Sequence, residues 1–140
     1  MAIDGLFDTT ISLLGKNLDL RVKNHNMISA NIANAETPGY IPTTLSFEKE
    51  LKAALNNRMG VTPSVTDPRH IPLKGEGSSL EGVAGTVVES PAGTPGRDGN
   101  GVELDNEMGR LAENQILYNA TVQIVAKEFE SLKIAIRGSM

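Results

Sequence analysis

The chain has 140 residues, of which 39% are hydrophobic and 4% aromatic, with no Trp; this is the length of one domain with too little large apolar side chain for a large globular core. The formal net charge is -4 and no block of like charge occurs, so the sequence carries neither an electrostatic footprint for nucleic acid nor a basic face for anionic lipid. The absence of Cys excludes disulfides and thiolate metal sites.

In chain order, Met1-Ala2-Ile3-Asp4-Gly5 lacks the basic region and apolar stretch of a secretory signal, and no later run approaches the ~20 apolar residues of a membrane span. Export, if it occurs, is expected by another route. From Phe7 the apolar positions alternate in steps of four and three through Ile11, Leu14 and Leu18, then Arg21 and His25 in the same frame, then Ile28, Ile32 and Ala35. This is a heptad seam with two polar interruptions, predicting a helix about 44 Å long. It ends in Asn31-Ile32-Ala33-Asn34-Ala35-Glu36-Thr37-Pro38-Gly39-Tyr40. Pro38 disfavours helical geometry at Thr37, and Gly39 is free to take the positive φ that a type II turn needs at its third residue. Asn31 and Asn34 share a helix face and suit contacts with an adjoining subunit, although Asn34 would also serve simply to end its own helix; Tyr40 is an amphipathic anchor.

Ile41-Pro42 continues extended, and Ser46 is a candidate N-cap for a short helix with Phe47, Leu51 and Leu55 on one face. From Gly60 to Gly101 the chain carries nine of its fourteen glycines and five of its seven prolines, so loop is the expectation. A small hairpin could form between residues 69–73 and 83–88, with Pro72 confining the first strand to an edge and Gly85 weakening the second. Residues 90–101 are turn chemistry throughout and read as a flexible, partly disordered connector.

The four-three alternation returns at Leu104 and runs through Met108, Leu111, Gln115, Tyr118, Val122, Val125, Phe129, Leu132 and Ile136. Asp105 and Glu107 in the first turn, and Lys133 and Arg137 in the last, complement the helix dipole, with Gly138 as terminator. The helix is expected to be about 50 Å long. Ile116, Leu117, Ile124 and Ile134 widen the apolar face beyond a two-stranded seam, pointing to more than one neighbouring helix. The fold class is therefore mainly α: long N- and C-terminal helices packed as an antiparallel coiled coil or bundle, around a short helix and a Gly/Pro-rich, partly β or disordered middle. The corresponding segments are 1–40, 41–101 and 102–140.

Chemistry finds no footing. His25 and His70 stand apart with no flanking metal-ligand spacing, the middle acids Asp67, Glu76, Glu81, Glu89 and Asp98 sit in glycine-rich chain, and no serine elbow is present. Residues 93–99 are glycine-rich but lack the Lys-Ser/Thr ending of a phosphate loop. The sequence predicts neither an enzyme nor a metal or cofactor.

The string from Ile28 to Tyr40 resembles the box that ends the N-terminal helix of bacterial flagellar rod and hook proteins, of the type Ala-Asn-x-Ile-Ala-Asn-x-x-Thr-Pro-Gly-Tyr. The stretch from Asp98 to Met108 leading to Asn114-Gln115-Ile116-Leu117-Tyr118 is similar to the second signature of that family, with Glu103 where Asp is the expected acid. Phe47-Glu48-Lys49-Glu50-Leu51 and Arg69-His70-Ile71-Pro72 look like the proximal-rod members. The resemblance covers nearly the whole chain. It implies a structural subunit of the basal-body proximal rod in the periplasm. Such a subunit is exported without a Sec signal through the flagellar type III apparatus. It polymerises through its terminal helices with copies of itself and with FliE, FlgC, FlgF and FlgG, and it transmits torque. The alternative is a soluble coiled-coil adaptor or secretion chaperone that does not polymerise; a peptidoglycan-cleaving enzyme of the rod is a weaker third.

The assembly contacts are expected at Leu14, Leu18, Arg21, His25, Asn31, Asn34, Thr37, Pro38, Gly39 and Tyr40 of the first half, and at Leu111, Gln115, Tyr118, Val122, Val125 and Phe129 of the second. With the helix ends flush, Phe7 would face Ile136, Ile11 Leu132, Leu14 Phe129 and Leu18 Val125. Arg21, His25, Tyr118 and Gln115 would then form one polar layer that fixes the register.

Overall fold

The computed structural model describes residues 9–58, 80–90 and 97–138. The elements are α1 (Thr9–Ala33), β1 (Thr43–Ser46), α2 (Glu48–Arg58), a single 3-10 turn (Leu80–Gly82), β2 (Thr86–Glu89) and α3 (Leu104–Arg137). The expected Phe7 start of the first seam, the candidate strand 69–73 and residues 91–96 of the 90–101 connector lie outside the described residues.

The helices α1 and α3 run antiparallel. Asn31 near the end of α1 bonds Glu107 in the first turn of α3, and Arg21 and Asn24 bond Asn114 two turns on. On its other side α1 presents Leu13, Leu20 and Met27, seven residues apart, to a small core of Leu45, Phe47, Leu51, Ala54, Leu80 and Val83. The helix therefore has two working faces, a largely polar one against α3 and an apolar one against the middle of the chain. Two lysines of α1 reach over that core, Lys16 donating to the Glu81 carbonyl at 3.0 Å and Lys23 to the Ala84 carbonyl at 2.9 Å.

The two strands pair antiparallel, Thr43 with Glu89, Thr44 with Val88, Leu45 with Val87 and Ser46 with Thr86, and the Ser90 N–H continues the ladder to the Pro42 carbonyl at 2.8 Å. The second strand thus falls within the stretch expected from sequence, but its partner is β1. Leu45 decides the pairing, because it turns its side chain into the core while its backbone meets β2. Gly85 makes the approach possible: it sits at φ +69, and a Cβ there would lie 3.0 to 3.2 Å from Leu45 and Phe47 side-chain atoms. The short helix starts one residue later than Ser46 would place it, with the Phe47 carbonyl accepting from Leu51 N–H at 2.9 Å; Ser46 is the last residue of β1.

Two features of the long helices differ from the expected seam. Its positions 111, 118 and 125 are half-buried, but the alternate positions turned inward on α3 are the polar Glu107, Asn114 and Thr121, while Met108, Val122 and Phe129 are exposed. Since one half of the seam moves by a residue and the other half stays, the inward face is turned by about 50°. The register also differs from the flush one, since Arg21 meets Asn114 where Val122 was expected, a displacement of roughly one to two turns. The cause lies at the helix ends, where a set of backbone and side-chain hydrogen bonds pins the start of α3 to the end of α1.

Candidate functional site

The chain that leaves α1 tightens before it turns. The Asn34 N–H is shared between the Ala30 and Asn31 carbonyls, both at 3.1 Å, and Ala35 N–H bonds the Ile32 carbonyl, the i to i+3 pattern of a fraying helix end. Thr37-Pro38-Gly39-Tyr40 then forms the turn anticipated from sequence, with Tyr40 N–H to the Thr37 carbonyl at 3.3 Å and Gly39 at φ +70. Asn34 acts within its own helix end: its amide donates to the Ala30 carbonyl at 2.8 Å and its Oδ1 accepts from the Thr37 hydroxyl at 3.2 Å.

Two asparagines hold this elbow. Asn31, 0% exposed, uses all four of its hydrogen-bonding positions. Its Nδ2 donates to the Thr43 carbonyl at 2.8 Å and to Glu107 Oε2 at 2.9 Å, while its Oδ1 accepts from Thr43 N–H at 3.1 Å and from the Tyr40 hydroxyl at 3.2 Å. One side chain thus joins α1, the turn, β1 and α3. The Glu107 carboxylate, 3% exposed, is completed by Arg110 at 2.8 Å, so the buried charge is both paired and hydrogen-bonded.

Asn100 works from outside. Its Nδ2 shares its two N–H groups among the carbonyls of Asn34, Ala35 and Thr37 at 3.0, 2.8 and 2.7 Å, acceptors of the turn that follows α1. Its Oδ1 accepts from Val102 N–H at 2.7 Å. The backbone follows, with Gly39 N–H to the Asp98 carbonyl at 3.1 Å and Gly101 N–H to the Tyr40 carbonyl at 3.0 Å. Residues 97–101, read as loose connector from sequence, therefore form a latch on the elbow. Glu103 heads α3 without a side-chain cap bond; its carboxylate accepts from the Asn106 amide.

Further along the seam, Asn114 donates to the Arg21 carbonyl at 3.0 Å and its Oδ1 accepts from Arg21 Nη1 and Asn24 Nδ2, both at 3.4 Å. The guanidinium also lies 5.6 Å from the Phe47 ring centroid. Arg21, His25, Gln115 and Tyr118 border one cleft together with Val22 and Asn114. Of the residues expected at assembly contacts, Arg21 and Asn31 are buried; Leu14, Leu18, His25, Asn34, Tyr40, Leu111, Tyr118 and Val125 are half-buried; Thr37, Pro38, Gly39, Gln115, Val122 and Phe129 are exposed. Asn100, Glu107, Asn114 and Thr121 were missed as organising residues. The seven-residue spacing of the last three was the available signal. Among the described residues no group of His, Asp and Glu is placed to hold a metal ion, and no helix is long and apolar enough to cross a membrane.

The elbow lies within a stretch that the chain shares with a known family. A family model described as flagella basal body rod protein matches residues 21–40, the second half of α1 and the turn. The flagellar basal body rod protein FlgB of Proteus mirabilis is 36% identical over 119 residues, covering 82% of this chain and 84% of the relative. That of Bacillus subtilis is 32% identical over 133 residues, covering 95% and 97%. The chain belongs to the FlgB family of flagellar basal-body rod proteins. The Salmonella typhimurium FlgB is 27% identical over 135 residues, covering 94% of this chain, so the likeness to FlgB extends across both long helices and the middle segment. In this chain the buried elbow ties the end of α1 to the start of α3.

Proposed function

We propose that this chain is a non-catalytic subunit of the proximal rod that polymerises through its paired terminal helices and carries torque across the periplasm. Its partners on this reading are copies of itself and the axial proteins FliE, FlgC, FlgF and FlgG, and it reaches the periplasm through the flagellar export apparatus without a Sec signal.

The observation that carries the reading is the outward stripe of α3. Met108, Val122 and Phe129 are 57%, 40% and 47% exposed, Ile136 continues their heptad series, and Ile116, Ile124 and Ile134 are exposed on other faces of the helix. Apolar side chains repeated along a helix this long, without partners among the described residues, suit a contact surface. The polar seam between α1 and α3 complements it, since a brace built from hydrogen bonds leaves the apolar half of the heptad free for neighbours. A torque-bearing rod needs subunits that are stiff internally and adhesive externally.

The test is a double substitution on the stripe, Val122→Glu with Phe129→Glu. Both sites are exposed, so the isolated subunit should change in stability by no more than about 0.5 kcal/mol per site, read by urea unfolding. Rod assembly and swimming in a complemented strain should be lost. Normal rods would remove the reading, and a purified complex of fixed, finite size with one axial partner would favour the adaptor instead.

A further inference from the structure

Asn100-Gly101 is the one Asn-Gly step in the sequence. In an unfolded chain such a step is chemically labile, because glycine leaves the following backbone nitrogen unshielded against the asparagine carboxamide. In the folded chain both reacting groups are held. The carboxamide is 8% exposed, its Nδ2 bonds three carbonyls and its Oδ1 bonds Val102 N–H, so it does not turn toward the backbone. The nitrogen of Gly101 has its proton on the Tyr40 carbonyl at 3.0 Å.

We propose that Asn100 is a deamidation site gated by folding, open in the unfolded chain and closed by the latch. The Gly101 nitrogen loses its proton and bonds Asn100 Cγ, the Cγ–Nδ2 bond breaks, and ammonia leaves with that proton. One water then opens the cyclic imide at either carbonyl, leaving an aspartyl or isoaspartyl linkage; no oxidant or reductant takes part. Either product disables the latch. The two N–H groups that Nδ2 shares among three carbonyls are replaced by carboxylate oxygen at the negative end of the α1 dipole, and the isoaspartyl form adds a methylene to the backbone between the residue-100 Cα and the Gly101 nitrogen. A chain that lingers unfolded thus loses, irreversibly, the side chain that closes its elbow. The inference does not depend on polymerisation.

The test uses the purified full chain in mildly alkaline buffer, with and without denaturing urea, followed by tryptic mapping. Cleavage at Arg97 and Arg110 isolates residues 98–110, in which fragmentation separates Asn100 from Asn106; Asp98-Gly99 isomerises without mass change and is silent. In urea the mass gain should arise at Asn100 before any other asparagine. In native buffer it should be slower by at least about tenfold, the ratio given by a local opening free energy of about 1.4 kcal/mol. Equal rates in the two buffers, or another asparagine reacting first in urea, would overturn the proposal. Asn100→Asp, which mimics one product, should lose slow hydrogen exchange at Gly39 and Gly101 while the middle of α1 keeps it; retained protection at those two amides would overturn the predicted consequence.

Discussion

At the scale of single residues, the elbow depends on groups that have no apolar substitute. Asn31 satisfies both a backbone donor and a backbone acceptor of Thr43 and the Glu107 carboxylate at once. Replacing it by Leu, similar in volume, leaves those buried partners unpaired, and the expected loss is roughly 2 to 4 kcal/mol in urea unfolding. A loss below 1 kcal/mol, about one ordinary hydrogen bond, would show that Asn31 does not hold the elbow together. Gly39 tests a different term. Nothing lies within 4 Å of a Cβ built there, so a substitution meets only the strain of φ +70. Gly39→Val should cost roughly 1 to 3 kcal/mol and impair rod assembly more than expression. Gly39→Asn should be milder because Asn tolerates the left-handed region, and equal effects of the two would argue that the turn is not the cause. The sequence disclosed Gly39 because proline before glycine is a local rule. It disclosed only part of Asn31, whose partners Thr43 and Glu107 lie 12 and 76 residues away.

At the scale of elements, helix existence and ends were legible because a four-three alternation sustained over many turns has no competing explanation. Which side of α3 turns inward was not legible. On the proposed function the apolar pattern serves two clients, this chain and its neighbours: Glu107, Asn114 and Thr121 are turned inward, whereas Met108, Val122 and Phe129 are exposed and would serve the second. Periodicity ranks faces by hydrophobicity and so assigns the outer contact to the inner seam. The register follows from the latch: with Gly101 bonded to Tyr40, α3 has no slack to slide into a flush alignment. Because the chain has no native Cys, introduced pairs report on this directly. Asn24→Cys with Asn114→Cys, whose native side chains touch, should form a disulfide under mild oxidation, while Leu18→Cys with Val125→Cys should not, given that bridging needs Cα atoms within about 7 Å. The reverse outcome would restore the flush register.

At the scale of the whole molecule, stability is unevenly distributed, and the distribution is what a subunit that completes itself on assembly needs. The described apolar core is small and lies on one side of α1, and the polar brace clusters at the elbow. From Val122 to Arg137 the helix α3 buries no residue fully, so little among the described residues opposes the backbone entropy of keeping those turns helical. Hydrogen exchange on the dilute subunit should therefore follow a gradient. Amides bonded around the elbow, including Thr43, Gly101 and Glu107, should exchange slowest, at the free energy of global unfolding. Those from 125 to 137 should exchange by local fraying, with opening free energies near zero. On incorporation into rods the same C-terminal amides should gain the most protection, since they lie along the stripe proposed to meet neighbours. Uniform strong protection of α3 in the free subunit would mean that the chain already supplies what assembly is proposed to add.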